Sequence, residues 1–113
     1  MKEIKAVVQP HRLPRIREAF RKLPDFPGMT VCKAEGSGYR NDSPRPTGIR
    51  AELTDYSARV RLEIVAPNDQ VAQLVGILHD VCHSGQQGDG VVWVTPVDVF
   101  HRLRERRSVT DGG

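Results

Sequence analysis

Aromatic side chains are scarce in this 113-residue chain: one Trp, two Tyr and three Phe make up 5% of it. The core must therefore be aliphatic, and the arginines near the C-terminus have no interleaved aromatics on which bases could stack. Apolar residues total only 38%, which gives a modest core of the kind often reinforced by self-association. Cysteine is nearly absent. Cys32 and Cys82 could pair in principle but fall in segments of different predicted structure, so nothing argues for oxidation and a reduced, cytoplasmic chain is expected. No apolar run approaches the length of a membrane span, and the start, Met1-Lys2-Glu3-Ile4, reads as a strand rather than a leader. No direct membrane insertion is expected. Charge of one sign is also limited. The net +3, with His neutral, suits an anionic ligand but lacks the dense stripe of a nucleic-acid binder, so no nucleic-acid partner is expected. The length supports one domain with a real core and no need of metal or disulfide staples.

What is present is a repeated pattern. Ile4, Ala6 and Val8 alternate with Glu3, Lys5 and Val7 up to Pro10, so residues 2–9 read as a strand. Pro14 suits a first helical position, and Leu13, Ile16, Phe20 and Leu23 share one helical face. The opposite face, with Arg15, Arg17, Glu18, Arg21 and Lys22, reads as solvated charge. After the Pro24–Gly28 stop, Met29–Ala34 reads as a second strand. Residues 37–57 carry loop chemistry throughout and read as a flexible arm. Val60, Leu62 and Ile64 alternate with charge as a third strand. Pro67-Asn68-Asp69 then opens a second helix, with Asn68 the expected N-cap and Val71, Leu74, Leu78 and Val81 the apolar face. Moved along by 58 positions, the apolar set of the first helix lands on that of the second. Two strand–helix–strand halves, neither able to bury its helix alone, imply an α+β, ferredoxin-like βαββαβ sandwich: one antiparallel sheet with two helices on one face. The domain is expected over 1–107, with 108–113 a disordered tail.

Between the second helix and the last strand lies Ser84-Gly85-Gln86-Gln87-Gly88-Asp89-Gly90, with three glycines in six residues. Positive φ at several of them allows a nest of amides that favours anions. The helix precedes the loop and the strand follows it, the reverse of the dinucleotide fingerprint. On the loop alone two readings stand: a phosphate cradle, or a helix C-cap at Gly85 followed by an Asp-Gly turn.

Read together, these segments resemble the PII family of signal-transduction proteins. The resemblance rests on Lys2–Val8 with Pro10, Gly28-Met29-Thr30-Val31, Gly36-x-Gly38 and Val60-x-Leu62-Glu63-Ile64-Val65 with Pro67. It continues through Gly85-x-x-Gly88-Asp89-Gly90, Pro96-Val97 and Arg102-x-Arg104, in family order over residues 1–106. It implies a homotrimer with an adenine nucleotide (ADP, AMP or ATP) held between subunits. Gly28, Met29 and Thr30 would border the base. Gly36, Gly38, Tyr39, Arg40, Arg59, Gly88, Asp89 and Gly90 would line the nucleotide site, and Arg102 and Arg104 would reach the phosphates from the neighbouring side. Guanidinium forks suit phosphate oxygens, and two arginines two apart on an extended segment point the same way. The implied role is control of a partner protein, such as a membrane transporter or a metabolic enzyme, through the arm.

The sequence departs from the family pattern in ways that carry chemistry. Val91 stands where the family has a phosphate-pairing lysine, which is expected to weaken a triphosphate more than a mono- or diphosphate. Glu52 and Arg50 occupy the positions modified in other members. Arg40 and Arg59 replace the glutamine and lysine that help hold 2-oxoglutarate. The two arginines suit a small anion effector, bicarbonate or a carboxylate. His79, Cys82 and His83 share a helical end at spacings of three and four, a set suited to zinc or copper. The ordinary reading of the same residues, and the one expected, is a buried thiol and two histidines at a helix C-terminus. The Pro24-Asp25-Phe26-Pro27-Gly28 turn also resembles a PII subgroup linked to heavy-metal efflux, so a metal-responsive or metal-binding module is the alternative reading. No His/Asp/Glu cluster surrounds a nucleophile, so no enzyme is expected, and Asp89 is expected to hold the loop's own amides.

Overall fold

The computed structural model describes residues 1–37 and 57–106. Four strands and two α-helices follow in the order β1 (Lys2–Val8), α1 (Leu13–Arg21), β2 (Thr30–Gly36), β3 (Ser57–Ala66), α2 (Val71–Cys82) and β4 (Gly90–Pro96). Short 3-10 turns at Pro10–Arg12 and Asn68–Gln70 lead into the helices. The strands form one sheet in the order β2-β3-β1-β4, and every neighbouring pair is antiparallel. This is the ferredoxin-like arrangement that the doubled pattern implies.

Alternation decides which face each strand buries. Ile4, Ala6 and Val8 of β1 and Val60, Leu62, Ile64 and Ala66 of β3 are buried, and they meet Ile16 and Phe20 of α1 and Leu74, Leu78 and Cys82 of α2. Phe20 also stacks on Phe26 in the turn after α1, with ring centroids 4.7 Å apart. Among the described residues, no helix covers the other face. Through the strand register it carries rows such as Thr30, Glu63, Lys5 and Trp93, then Cys32, Arg61, Val7 and Val91. Trp93 and Val91 there are each 42% exposed. Cys32 and Cys82 lie on opposite faces of the sheet and are both free thiols. Burial pushes the Cys82 thiol above its ordinary value, with Asp89 adding to the rise and Arg12 opposing it.

Local signals held less well than periodicity. Asn68 does not cap α2. It sits inside the 3-10 turn that precedes the helix, and no side chain caps either that turn or α2. The turn bonds Gln70 N to Pro67 O at 3.0 Å, so the backbone closes the helix start itself. Nor is Gly85 the C-cap. The helix ends at Cys82 and His83 follows in an extended conformation, while Gly85 takes its positive φ of 82° inside the next loop. Strand β2 runs two residues past Ala34 and β3 starts at Ser57, so the ladder pairs Gly36 with Ser57. The arm residues 38–56 and the tail from 107 onward lie outside the described residues.

Candidate functional site

Two groups of candidate residues emerge, at opposite ends of the sheet. At one end the loop 84–90 closes over the last pair of the β1–β4 ladder, Val8 and Gly90. Gly90 has φ 110°, and a Cβ there would lie 2.1 Å from the Val7 carbonyl oxygen. Only glycine lets the loop enter β4 this close to β1. Gln9 Nε2 donates to the Gly88 carbonyl at 2.7 Å and ties the loop to the end of β1. Arg59 approaches the same point: its Nη2 is 3.6 Å from where Gly88 would carry a Cβ. Arg59 Nη1 donates to the Ala58 carbonyl at 2.9 Å, whereas its Nε is buried with no hydrogen-bond partner among the described residues. An unmet charged donor is unusual enough to mark a place where an acceptor is missing. Gly36, the last residue of β2, completes this end.

Asp89 organises the loop itself. Its carboxylate accepts from the Ser84 amide at 2.7 Å, the Gly85 amide at 3.0 Å and the Ser84 hydroxyl. These two amides therefore serve an internal acid and are not offered to an external anion. The Ser84 hydroxyl first, then the two amides and the nearby His83, hold the Asp89 carboxyl below the ordinary carboxylate range. A depressed carboxyl stabilises the loop above its unfolded-state pKa and loses that effect as the pH falls through the folded-state value. The Ser84 and Gly85 amide resonances are accordingly expected to hold still from neutral pH down to about pH 4 and to move only below it. Asp89→Asn is expected to expose both amides to rapid hydrogen exchange at neutral pH. Unchanged protection in that variant would show that the carboxylate does not lock the loop.

The second group lies at the other end. Arg102 and Arg104 line a pocket there with Met1, Asp25, Phe26 and Pro27, whereas Thr30, which starts β2 just after Gly28 and Met29, pairs with Glu63 in the row of Lys5, midway along β1. The Val97 amide donates to the Met1 carbonyl at 3.1 Å and directs the tail past this edge. The arginines are not on an extended segment, as the spacing suggested. The Glu105 amide donates to the Arg102 carbonyl at 3.0 Å, so they flank a tight turn whose tip, Leu103, is 99% exposed. Arg102 lies over the Phe100 ring at 5.2 Å and within 4.0 Å of Glu105 Oε1. Six residue steps separate Val8 from Lys2 along β1, so roughly 20 Å of strand divides the loop end from the tail end.

Comparison with known proteins identifies the family. The family model for nitrogen regulatory protein P-II matches residues 1–107. The chain belongs to the P-II family. It is 29% identical over 104 residues to nitrogen regulatory protein P-II of Azospirillum brasilense, covering 92% of each chain. Against nitrogen regulatory protein P-II of Bradyrhizobium diazoefficiens it is 27% identical over 111 residues and 98% of each chain. Against nitrogen regulatory protein P-II 1 of Escherichia coli K12 it is 31% identical over 104 residues, with 92% of each covered. It is accordingly a signal-transduction regulator and not an enzyme. No helix among the described residues is long and apolar enough to cross a membrane.

Within this P-II chain, Gly38, Tyr39 and Arg40, like Arg50 and Glu52, lie outside the described residues. Val91 sits at the foot of the loop, 42% exposed. His79, Cys82, His83 and Asp89 line one pocket of about 190 Å³ between α2 and strands β1 and β4. The two imidazoles stack at 5.4 Å while Cys82 turns into the core. Among the described residues, no three His, Cys, Asp or Glu side chains are grouped to hold a metal ion. Gln9 is the site residue that sequence reasoning missed. Strand parity places it on the helix-free face with Lys5 and Val7, and the antiparallel register places Arg59 beside it, so the signal was available.

Proposed function

We propose that this P-II protein is a cytoplasmic homotrimer that binds an adenine nucleotide between subunits and regulates a partner protein through the arm at 37–57. The observation that carries this reading is the split site. The loop end, with Gly36, Arg59, Gly88, Asp89 and Gly90, and the tail arginines Arg102 and Arg104 are about 20 Å apart in one chain, with Thr30, preceded by Gly28 and Met29, in the row of Lys5 between them. One ligand can touch both only where two copies meet. The helix-free sheet face, with Trp93 and Val91 half exposed, supports such an association, because a sheet face bearing large apolar groups gains by being covered. The regulated partner is a protein such as a transporter or a metabolic enzyme. Ligand contacts near Gly38–Arg40 favour one arm conformation, which the partner reads.

The cations set the ligand preference. With Val91 in place of a phosphate-pairing lysine, the third phosphate loses a charge-assisted contact worth about 1.5–3 kcal/mol. ADP or AMP is therefore expected to bind at least as well as ATP. The orphaned Arg59 Nε provides a donor for a phosphate oxygen or for a small anion effector such as bicarbonate or a carboxylate. Titration calorimetry of the trimer with ATP, ADP and AMP tests the reading. The expected result is saturable heat at one nucleotide per chain with ATP not preferred. No heat from any of the three would end the nucleotide claim.

A further inference from the structure

The first helix and its flanks carry a dense net positive charge. Residues 11–22 contain Arg12, Arg15, Arg17, Arg21 and Lys22 against the single carboxylate Glu18. That is +4 with His11 neutral, against +3 for the whole chain, so everything outside this segment is one charge negative. Arg12 has a local explanation, since it lies close enough to Cys82, the last residue of α2, to stabilise that end electrostatically. The other four do not. Arg15, Arg17, Arg21 and Lys22 are all exposed, and no ion pair joins them to a carboxylate among the described residues. They also oppose local preference. The first turn of α1 holds no acidic residue, and Arg15 sits in it, at the end where the helix dipole favours anions. Arg17 and Arg21 repel each other one turn apart. An arrangement that breaks local rules without internal compensation points to an external anion.

We propose that the outer face of α1 docks this protein onto an anionic phospholipid surface, by adsorption and without insertion. At 3.6 residues per turn, the cations at 15, 17, 21 and 22 fan over nearly half of the helix circumference. A planar field of headgroups meets all of them, whereas one acidic peptide would engage one side. Beside α1 in the same layer, the outward side of α2 exposes Ala72, Gln73 and Gly76, with the single carboxylate Asp80 toward its C-terminal end. At Gly76 nothing lies within 4 Å of where a side chain would begin, so a flat surface can approach the layer. The outer face of α1 carries no large apolar side chain, because Ile16 and Phe20 are spent in the core. Attachment is therefore electrostatic, with each cation worth on the order of fivefold in partitioning.

The test is co-sedimentation of the full chain with two vesicle types: pure phosphatidylcholine, and phosphatidylcholine with about 30% phosphatidylglycerol. Adsorption to the anionic vesicles alone is expected at about 0.05 M salt, with release at about 1 M, where the screening length shrinks to about 3 Å. Arg15→Glu with Arg17→Glu is expected to reduce partitioning at least about 25-fold. Its thermal midpoint should be little changed, because a glutamate at position 15 then suits the dipole in the first turn and position 17 is exposed mid-helix. Lys33→Glu, which alters charge off this face, is expected to retain most of the adsorption. Equal binding to neutral vesicles, no binding to anionic ones, or full binding by the folded double variant would each overturn the proposal. Retention on immobilised polyglutamate with none on vesicles would overturn it in favour of an acidic protein partner.

Discussion

Replacing Gly90 with alanine is expected to cost at least about 3 kcal/mol of folding stability, read as a lowered urea midpoint. The φ of 110° is a conformation that side-chain-bearing residues rarely adopt, and the added Cβ would lie 2.1 Å from the Val7 carbonyl oxygen and 3.1 Å from its carbon. Both obstacles are backbone, so no rotamer change can relieve them. Gly90 is also the first residue of β4 and pairs with Val8. Relief therefore means lifting β4 from β1 at this end, with the loss of ladder hydrogen bonds worth about 1 kcal/mol each. Gly85→Ala is the natural control. Its φ is 82° but nothing lies within 4 Å of the new Cβ, so only the backbone term of about 1–2 kcal/mol applies. Equal midpoints for the two variants, with β4 amides still protected from exchange, would show that the close approach at Gly90 does not exist.

The contrast between these glycines shows what the sequence could and could not convey. Three glycines in six residues announced a loop of unusual backbone, and Gly85, Gly88 and Gly90 all take positive φ. Which of them is sterically obligatory depends on β1, more than eighty residues away in the chain, and no local spacing contains that contact. Periodicity travelled better because it reports burial directly. The 58-residue echo identified both helix faces, and Ile16, Phe20, Leu74 and Leu78 are all in the core. Strand alternation placed Ile4, Ala6, Val60, Leu62 and Ile64 there as well.

Capping and tail geometry were legible only in part, for a common reason. Asn68 has the right chemistry for an N-cap, but a 3-10 turn begins there and the true helix starts three residues later. Arg102 and Arg104 have the spacing of an extended pair, but the backbone hydrogen bond from Glu105 folds them around Leu103. In both places a weak local preference yields to a backbone bond that closes a turn. Gln9 and Arg59 were recoverable in principle, since parity and register put them side by side. That inference needs both strands and their pairing at once, and a single motif carries neither.

Mixing two disabled P-II chains is expected to restore nucleotide binding that neither has alone. On the proposed arrangement each cleft takes its loop end from one copy and its tail end from the next, as in a closed ring of head-to-tail contacts. Arg59→Ala removes a cation from the loop end only. Arg102→Ala with Arg104→Ala removes two from the tail end only. Each homotrimer should lose affinity about 10- to 100-fold or more, the cost of one or two charge-assisted contacts. All three arginines are exposed or half-buried, so folding should survive, and unchanged thermal midpoints would confirm it. When the two variants are unfolded together and refolded as random mixtures, a cleft is intact only if it pairs a wild-type loop with a wild-type tail. That occurs in about one quarter of clefts, so calorimetry should find high-affinity sites at about a quarter of the wild-type number. Arginines that acted within their own chain would give no such recovery, because every chain in the mixture still carries a broken end. The fraction recovered thus distinguishes a shared cleft from a site complete within one subunit, whichever nucleotide fills it.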